Sequence, residues 1–370
     1  MPSGRILPDY RLYPVREARA AFETVGASMP SDSQVVVTGA TGLVAKYTIA
    51  EFLRRGHSVR GTLRNMGKAD GVRAAVTRLG ADASKLSFAV ADLTSDAGWD
   101  DAIAGADAVV HTASPFPISQ PDDPDDVILP ALDGTLRVLR SATKAAVTRV
   151  VLTSSTVAIF YPSGVSAGHI YSEQDYSDET RPDLTPYVKS KTIAEKAAWD
   201  FIESTHGAPE LIAINPSFVQ GPAVDADLST SHELYRIMAK GTYPAAPSIS
   251  FPVTDVRDIA AAHAEAAVRP GVGGNRYLVG EGRLSLYELG RIMARELPDL
   301  ASKVPKFELP DFAVRTAAIF DRKLRTVLPE LGEKKDYTNA KVKAELGLTL
   351  RNADDAVVAA VRSLRDLRLI

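Results

Sequence analysis

Gln34 to Ala45, reading QVVVTGATGLVA, is the stretch that decides the fold. Val35 to Thr38 are all β-branched and read as a strand, and the chain passes from them straight into a turn holding Gly39 and Gly42. From Leu43 to Arg55 apolar residues recur at helical spacing, and Gly56 provides a stop. A tight turn needs a residue without Cβ, and close approach to a pyrophosphate needs bare backbone. The helix start adds free N–H groups and a favourable dipole. The third small position of the G-x-x-G-x-x-G form is Ala45, still small enough for the helix to pack closely on a sheet. The plain alternative is a glycine turn that binds nothing; its strand-turn-helix setting at the head of the fold weighs against that.

Outward from this stretch, short β-branched runs alternate with longer amphipathic segments, the pattern of βαβ units. Strands are expected from Val35 to Thr38, Val59 to Leu63, Leu86 to Val90, Ala108 to Thr112, Val150 to Thr153 and Leu211 to Asn215. Six such strands with crossover helices make an α/β fold, a Rossmann-type doubly wound parallel sheet, with a smaller C-terminal substrate-binding lobe. The alternation weakens after residue 216, where proline and polar residues cluster in GPAVDADLSTS and YPAAPS. Residues 34–216 are therefore assigned to the nucleotide-binding domain, 217–250 and 281–370 to the lobe. The chain is expected to return to the sheet within 251–280, at FPVTDVRDIAAAHAEAA and NRYLVG, and to end in helices from Leu286 to Glu296 and from Asp354 to Leu367. Residues 1–33 read as an extension: either Met29 marks an alternative start, or a short helix over residues 14–25 docks on the domain.

Composition narrows the function classes. Of 370 residues, 45% are hydrophobic and 24% charged, with a formal net charge of −3, so no excess charge recruits nucleic acid. The absence of cysteine rules out disulfides and thiolate chemistry, and with no metal expected the default compartment is the reducing cytoplasm. No apolar run approaches the roughly 18 residues a membrane span requires. The extension lacks a secretory apolar core, and Asp9, Glu17 and Glu23 speak against a transit peptide.

An NAD-preferring site carries an acid about 20 residues after the glycines. Here VRGTLRN supplies Arg60 and Arg64 instead, with Lys68 beyond. A guanidinium matches a phosphate in charge and fork geometry, so Arg64, supported by Lys68, is the candidate for the 2′-phosphate of NADP(H); a solvated surface arginine is the alternative. Asp92, with Leu93 after it, follows the strand LSFAVADL at the place for an adenine contact, or serves as a turn residue. Thr112 and Ala113 in HTASPF, together with Thr41 and Leu43 in the glycine turn, complete the expected cofactor wall, while His111 is expected to be structural. Pro216 and the backbone of Val219 in NPSFVQGP are placed to hold a carboxamide, or form a rigid loop into the lobe.

Tyr187 and Lys191, in YVKSK, are four residues apart and share a helix face. An ammonium beside a phenol stabilises the phenolate, which lowers the phenol's pKa and makes it a better proton donor to a developing alkoxide. VVLTSSTVA places Thr153, Ser154 and Ser155 at a strand end, and Ser155 is chosen to orient the carbonyl oxygen. Spacing alone is weak, since Tyr337 and Lys341 repeat it; what separates the pairs is that Tyr187 follows a hydroxyl-bearing strand end. Asp255, Arg257, Asp258 and His263 read as a structural helix start.

Together TGATGLVA, VRGTLR, HTASPF, LTSS, YVKSKTIAEKAAWDF, NPSFVQGP and TDVRDIAAAH resemble the extended short-chain dehydrogenase/reductase superfamily. Within it they resemble the branch of dihydroflavonol reductases, cinnamoyl-CoA reductases and fungal aldehyde/ketone (methylglyoxal-type) reductases, over residues 34–368. The resemblance implies that Ser155, Tyr187 and Lys191 are catalytic and that Arg64 selects NADP. The signature NWYCYGK of cinnamoyl-CoA reductases is absent from LTPYVKSK, which argues against a CoA thioester, and TVAIFYPS lacks the flavonoid-contacting Asn. The expectation is an NADPH-dependent reductase of an aldehyde or ketone with an apolar or aromatic body, a monomer or homodimer. The rivals are a nucleotide-sugar epimerase or dehydratase, a hydroxysteroid dehydrogenase, and a non-catalytic NADP-sensing regulator.

Overall fold

The computed structural model describes residues 29–30, 32–114, 123–320, 328–332 and 334–370; the expected helix over 14–25 and the end of HTASPF lie outside them. In chain order the strands are β1 (Gln34–Val37), β2 (Ser58–Leu63), β3 (Leu86–Val90), β4 (Ala108–His111), β5 (Arg149–Thr153), β6 (Glu210–Pro216), β7 (Phe218–Gln220), β8 (Ala246–Pro247), β9 (Ser250–Asp255), β10 (Asn275–Val279), β11 (Arg283–Ser285) and β12 (Glu308–Leu309). The helices are α1 (Leu43–Arg54), α2 (Ala69–Arg78), α3 (Trp99–Ile103), α4 (Asp125–Lys144), α5 (Pro186–Ser204), α6 (Thr230–Ala239), α7 (Val256–Val268), α8 (Leu286–Glu296), α9 (Asp311–Phe320), α10 (Ala340–Leu346) and α11 (Ala353–Asp366).

Seven parallel strands form the central sheet in the order β10-β6-β5-β4-β1-β2-β3, a doubly wound arrangement whose order reverses between β1 and β4. A parallel sheet is covered on both faces, so its strands read as continuous apolar runs. Val35 and Val37 of β1 point into one layer with Ala45 and Ile49 of α1, Val76 of α2, Ala262 of α7 and Leu346 of α10. Val36, between them, points into the other layer with Ile103 of α3, Leu139 of α4 and Ala198 of α5. Beyond the sheet, α6, α8 and α11 pack around Tyr235, Leu289, Met293 and Val361, all buried, over the three-stranded sheet β11-β9-β7. Among the described residues no helix is long and apolar enough to cross a membrane.

Two expectations change. Of the segments expected to return to the sheet, NRYLV joins it as β10 beside β6, and FPVTDVRDIAAAHAEAA returns through α7, which covers one face, while its FPVTD part forms β9 and pairs with β7 and β11. NPSFVQGP is not an irregular loop either, since Phe218–Gln220 forms β7 in parallel register with β9.

Gly61 marks where β2 passes the nucleotide turn. A Cβ there would stand 2.8 Å from the Ala40 methyl and 3.1 Å from the Phe88 ring. Gly61→Ala is expected to destabilise the protein by about 1–3 kcal/mol through overpacking. In urea denaturation the midpoint should fall at unchanged m value; an unchanged midpoint would show that β2 yields freely.

Candidate active site and dinucleotide cradle

The cradle sits at the carboxyl edge where the strand order reverses. Gly39 takes a left-handed φ of 69°, and a Cβ on it would lie 3.0 Å from the Cα and Cβ of Ala113, so β1 and β4 approach here as closely as bare backbone allows. Thr38 locks the junction: its N–H donates to Val110 O at 3.0 Å, its hydroxyl accepts from Ala113 N at 3.0 Å, and its carbonyl accepts from the Thr112 hydroxyl. Helix α1 then starts after Gly42, which offers no side-chain cap. The N–H groups of Thr41 and Leu43 make no hydrogen bond among the described residues. Free donors at a helix start, with no Cβ at the turn, suit a pyrophosphate.

The two arginines of β2 and its end part company. Arg60 is committed to the carbonyls of Ala102 and Ala104, at 2.9 and 2.8 Å. Arg64 is exposed at the end of β2 and makes no hydrogen bond or ion pair among the described residues, and the exposed Lys68 ammonium makes none either. Both are open to an anion beside the cradle. Asp92 closes a turn, accepting from Thr94 N and Oγ1 at 2.8 Å, which with the nearby arginines holds its carboxyl below the ordinary carboxylate range. The Leu93 side chain fills the space a Cβ on Gly134 would take.

Strand β5 delivers Thr153 and then Ser154 and Ser155 to the same edge. Ser155 caps the short turn Thr156–Ala158, its hydroxyl accepting from Val157 N at 3.3 Å and reaching the Pro216 carbonyl at 3.5 Å. Helix α5 begins at Pro186 behind the Thr185 cap, whose hydroxyl accepts from Val188 N, so Tyr187 enters on the first turn and Lys191 on the second. Tyr187 hydrogen-bonds Ser155, and the Lys191 ammonium donates to Thr153 O at 3.4 Å.

The electrostatics differ from the sequence reading in one respect. Burial raises the Tyr187 pKa to about 12, opposed by the hydrogen bond with Ser155 and by no resolved contribution from Lys191. Burial also lowers Lys191 to about 8, with the charge of Glu195 acting to raise it. Desolvation therefore outweighs the expected ammonium effect on the phenol.

A buried polar network behind the strand end escapes sequence reading. Glu195, one turn beyond Lys191 on α5, accepts from the Ser154 hydroxyl, from Asn215 Nδ2 at 2.8 Å and from Arg276 Nε at 2.5 Å. Asn215 Nδ2 also donates to Ser155 O at 3.1 Å. The spacing of Tyr187, Lys191 and Glu195 at successive fourth positions, and a lone arginine in the apolar run NRYLV, were the available signals. Lys191, Glu195, His111 and Thr153 line a cavity of about 10 Å³, room for one water.

Other candidates resolve structurally. Tyr337 precedes α10 and donates to Gly282 O at 2.9 Å, while Lys341 donates to Asn275 Oδ1 at 2.8 Å, so the second Tyr/Lys pair shares no site. Asp255 caps α7 and pairs with Arg257, and Asp258 pairs with Arg351. Pro216 ends β6 beside Ser155, and Val219 sits within β7 opposite Thr254.

Comparison with known proteins agrees with this plan. The model of the NAD dependent epimerase/dehydratase family matches residues 35–280. The chain is 33% identical over 349 residues to ketoreductase azaE of Aspergillus niger, covering 90% of this chain and 97% of that one. It is 30% identical over 349 residues to cinnamoyl-CoA reductase 1 of Arabidopsis thaliana, covering 92% of each. Among solved structures, yeast methylglyoxal/isovaleraldehyde reductase Gre2 complexed with NADPH superposes with a TM-score of 0.76 at 27% identity, covering 91% of this chain and 100% of that one. Gre2 of Candida albicans in complex with NADPH gives 0.75 at 28%, covering 90% and 99%.

Two histidines support this edge from within. His111 Nδ1 pairs with the Thr38 hydroxyl at 2.8 Å, and His263 bridges Thr48 and Thr153 at 3.0 and 2.9 Å. Burial lowers both pKa values from 6.5 to about 3. The unfolded chain thus binds more protons between those values, so their contribution to stability is complete above pH 6.5 and declines as pH falls, by up to about 1.4 kcal/mol per pH unit for each ring. NMR titration should find both rings neutral down to about pH 5 while urea midpoints decrease with acidification; a ring titrating near its ordinary value would contradict this.

Proposed function

The chain belongs to the NAD dependent epimerase/dehydratase family, and from that membership we propose that it reduces an aldehyde or ketone to an alcohol with NADPH, Tyr187 supplying the proton. It is an NADP-dependent oxidoreductase, in line with relatives named as reductases and with NADPH in two structural neighbours. The observation that carries the finer reading is the Ser155–Tyr187 hydrogen bond at the sheet edge, with Lys191 one helical turn behind it and the glycine cradle alongside.

Bound NADPH supplies hydride to the carbonyl carbon. The chain's own groups handle the oxygen. Ser155, just past the end of β5, donates a hydrogen bond that orients the carbonyl and stabilises the charge growing on it. Tyr187 delivers its phenolic proton to that oxygen as the alkoxide forms, and the positive charge of Lys191 on the same helix face stabilises the phenolate charge that develops. Lys191 is also placed to hold the nicotinamide ribose. The free N–H groups of Thr41 and Leu43 would hold the pyrophosphate, and Arg64, with Lys68, the 2′-phosphate. No acid stands at the end of β2 to take both ribose hydroxyls, which weighs against an enzyme that retains NAD and hence against sugar epimerisation. An apolar or aromatic carbonyl compound is the favoured substrate class, and the departure from NWYCYGK disfavours a CoA thioester.

Tyr187→Phe is expected to lower kcat by about 100- to 10,000-fold on any carbonyl the parent reduces, with NADPH affinity by fluorescence titration unchanged; parental turnover would refute Tyr187 as proton donor. Arg64→Ser should reduce kcat/KM for NADPH by about 10- to 100-fold while sparing NADH. An equal loss with both cofactors would remove Arg64 from the 2′-phosphate.

A further inference from the structure

We propose that Glu195 is a positioning residue of this site: its carboxylate, anchored by Arg276, fixes the Ser154–Ser155 strand end and provides the negative charge against which Lys191 keeps its proton. The inference rests on the reductase reading above and assigns a task to a residue that touches neither substrate nor cofactor.

The first observation is how completely the carboxylate is held. The Glu195 side chain is 0% exposed and that of Arg276 6%, so both charges are out of water. One carboxylate oxygen receives Arg276 Nε at 2.5 Å and Trp199 Nε1 at 3.4 Å; the other receives the Ser154 hydroxyl and Asn215 Nδ2 at 2.8 Å. The guanidinium donates onward to the carbonyls of Glu173 at 2.8 Å, Asp175 at 2.6 Å and Ala158 at 3.4 Å, and its face lies 3.7 Å from the Tyr176 ring centroid. Two isolated charges would be costly here; with both carboxylate oxygens and all three guanidinium nitrogens bonded, the pair holds its neighbours in one geometry, while Asn215 Oδ1 has no partner among the described residues.

The second is what those neighbours are. Ser154 precedes Ser155, Asn215 bonds both the carboxylate and the Ser155 carbonyl, and Ala158 closes the turn that Ser155 caps. The network thus grips the Ser155 backbone from β5, β6 and β10 together.

The third is the surroundings of Lys191. Its cavity is walled by His111 and Ala113 from the end of β4, Thr135 from α4, Thr153 and Ser154 from β5 and its end, and Glu195 from α5. His111 is neutral, Thr153 offers only its carbonyl to the ammonium, and Tyr187 is protonated. Glu195 is the only acid in that wall, and Arg276 bonds its Oε1. Burial drives Lys191 toward its neutral form, and the Glu195 charge opposes this.

The test is the pH profile of NADPH-dependent carbonyl reduction for the parent, Glu195→Gln and the paired Glu195→Gln/Arg276→Met. The paired variant leaves no orphaned buried charge and serves as the reading arm if the single variant aggregates. Loss of the anion should move the alkaline limb of kcat/KM toward acid by about 1 pH unit in either variant, so that activity lost at pH 8 is partly restored near pH 6. Glu195→Asp, which keeps the charge, should retain the parental limb with lower kcat. NADPH affinity should be parental throughout. A uniform loss at every pH, with the limb unmoved, would reduce Glu195 to a packing role and overturn the proposal. If the parent consumes no NADPH with any carbonyl, it is the reductase reading that fails, a result distinct from an active parent with an unshifted variant.

Discussion

Everything at the working edge depends on how closely two backbones can approach. Gly39 and Ala113 meet where a single added carbon would stand 3.0 Å from its neighbours, and the threefold tie through Thr38 holds β1 and β4 at that spacing. Separation of these strand ends would displace the start of α1, and with it the free donors of Thr41 and Leu43. The same junction sets the position of His111, which shares a cavity with Lys191. The proposed nucleotide cradle and proton-transfer groups therefore share one edge of the sheet.

Tyr187 and Lys191 at that edge are part-buried, and their burial sets the chemistry. Burial raises the Tyr187 pKa to about 12 and lowers Lys191 to about 8, so each group is pushed toward its uncharged form. The Ser155 hydrogen bond and the Glu195 charge act against that push. A low-dielectric site that keeps charge only where a specific partner supports it makes each support consequential.

Much of this was legible in the sequence because the relevant signals are local. QVVVTGATGLVA contains its own strand, turn and helix, and the expected strand limits differ from β1 to β6 by a residue or so. Arg64 could be singled out because a missing acid and an added base occur within one heptapeptide. The assignment of β9 to the smaller sheet could not, since FPVTD and NRYLV are equally apolar and only the tertiary pairing decides which one joins the main sheet. Nor could the link of Glu195 to Arg276, which spans 81 positions, or the pKa of Tyr187, which depends on how much water the folded site excludes.

Helix α5 carries Tyr187, Lys191 and Glu195 on successive turns, while Ser155 and Arg64 follow strands of the central sheet. None of these side chains comes from α6, α8, α9 or α11. The proposed reacting groups thus lie before residue 196, ahead of the helices that build the smaller lobe. On the proposed roles, the later stretch can vary around the reacting groups so long as Asn215 and Arg276, which hold Glu195 in place, are kept.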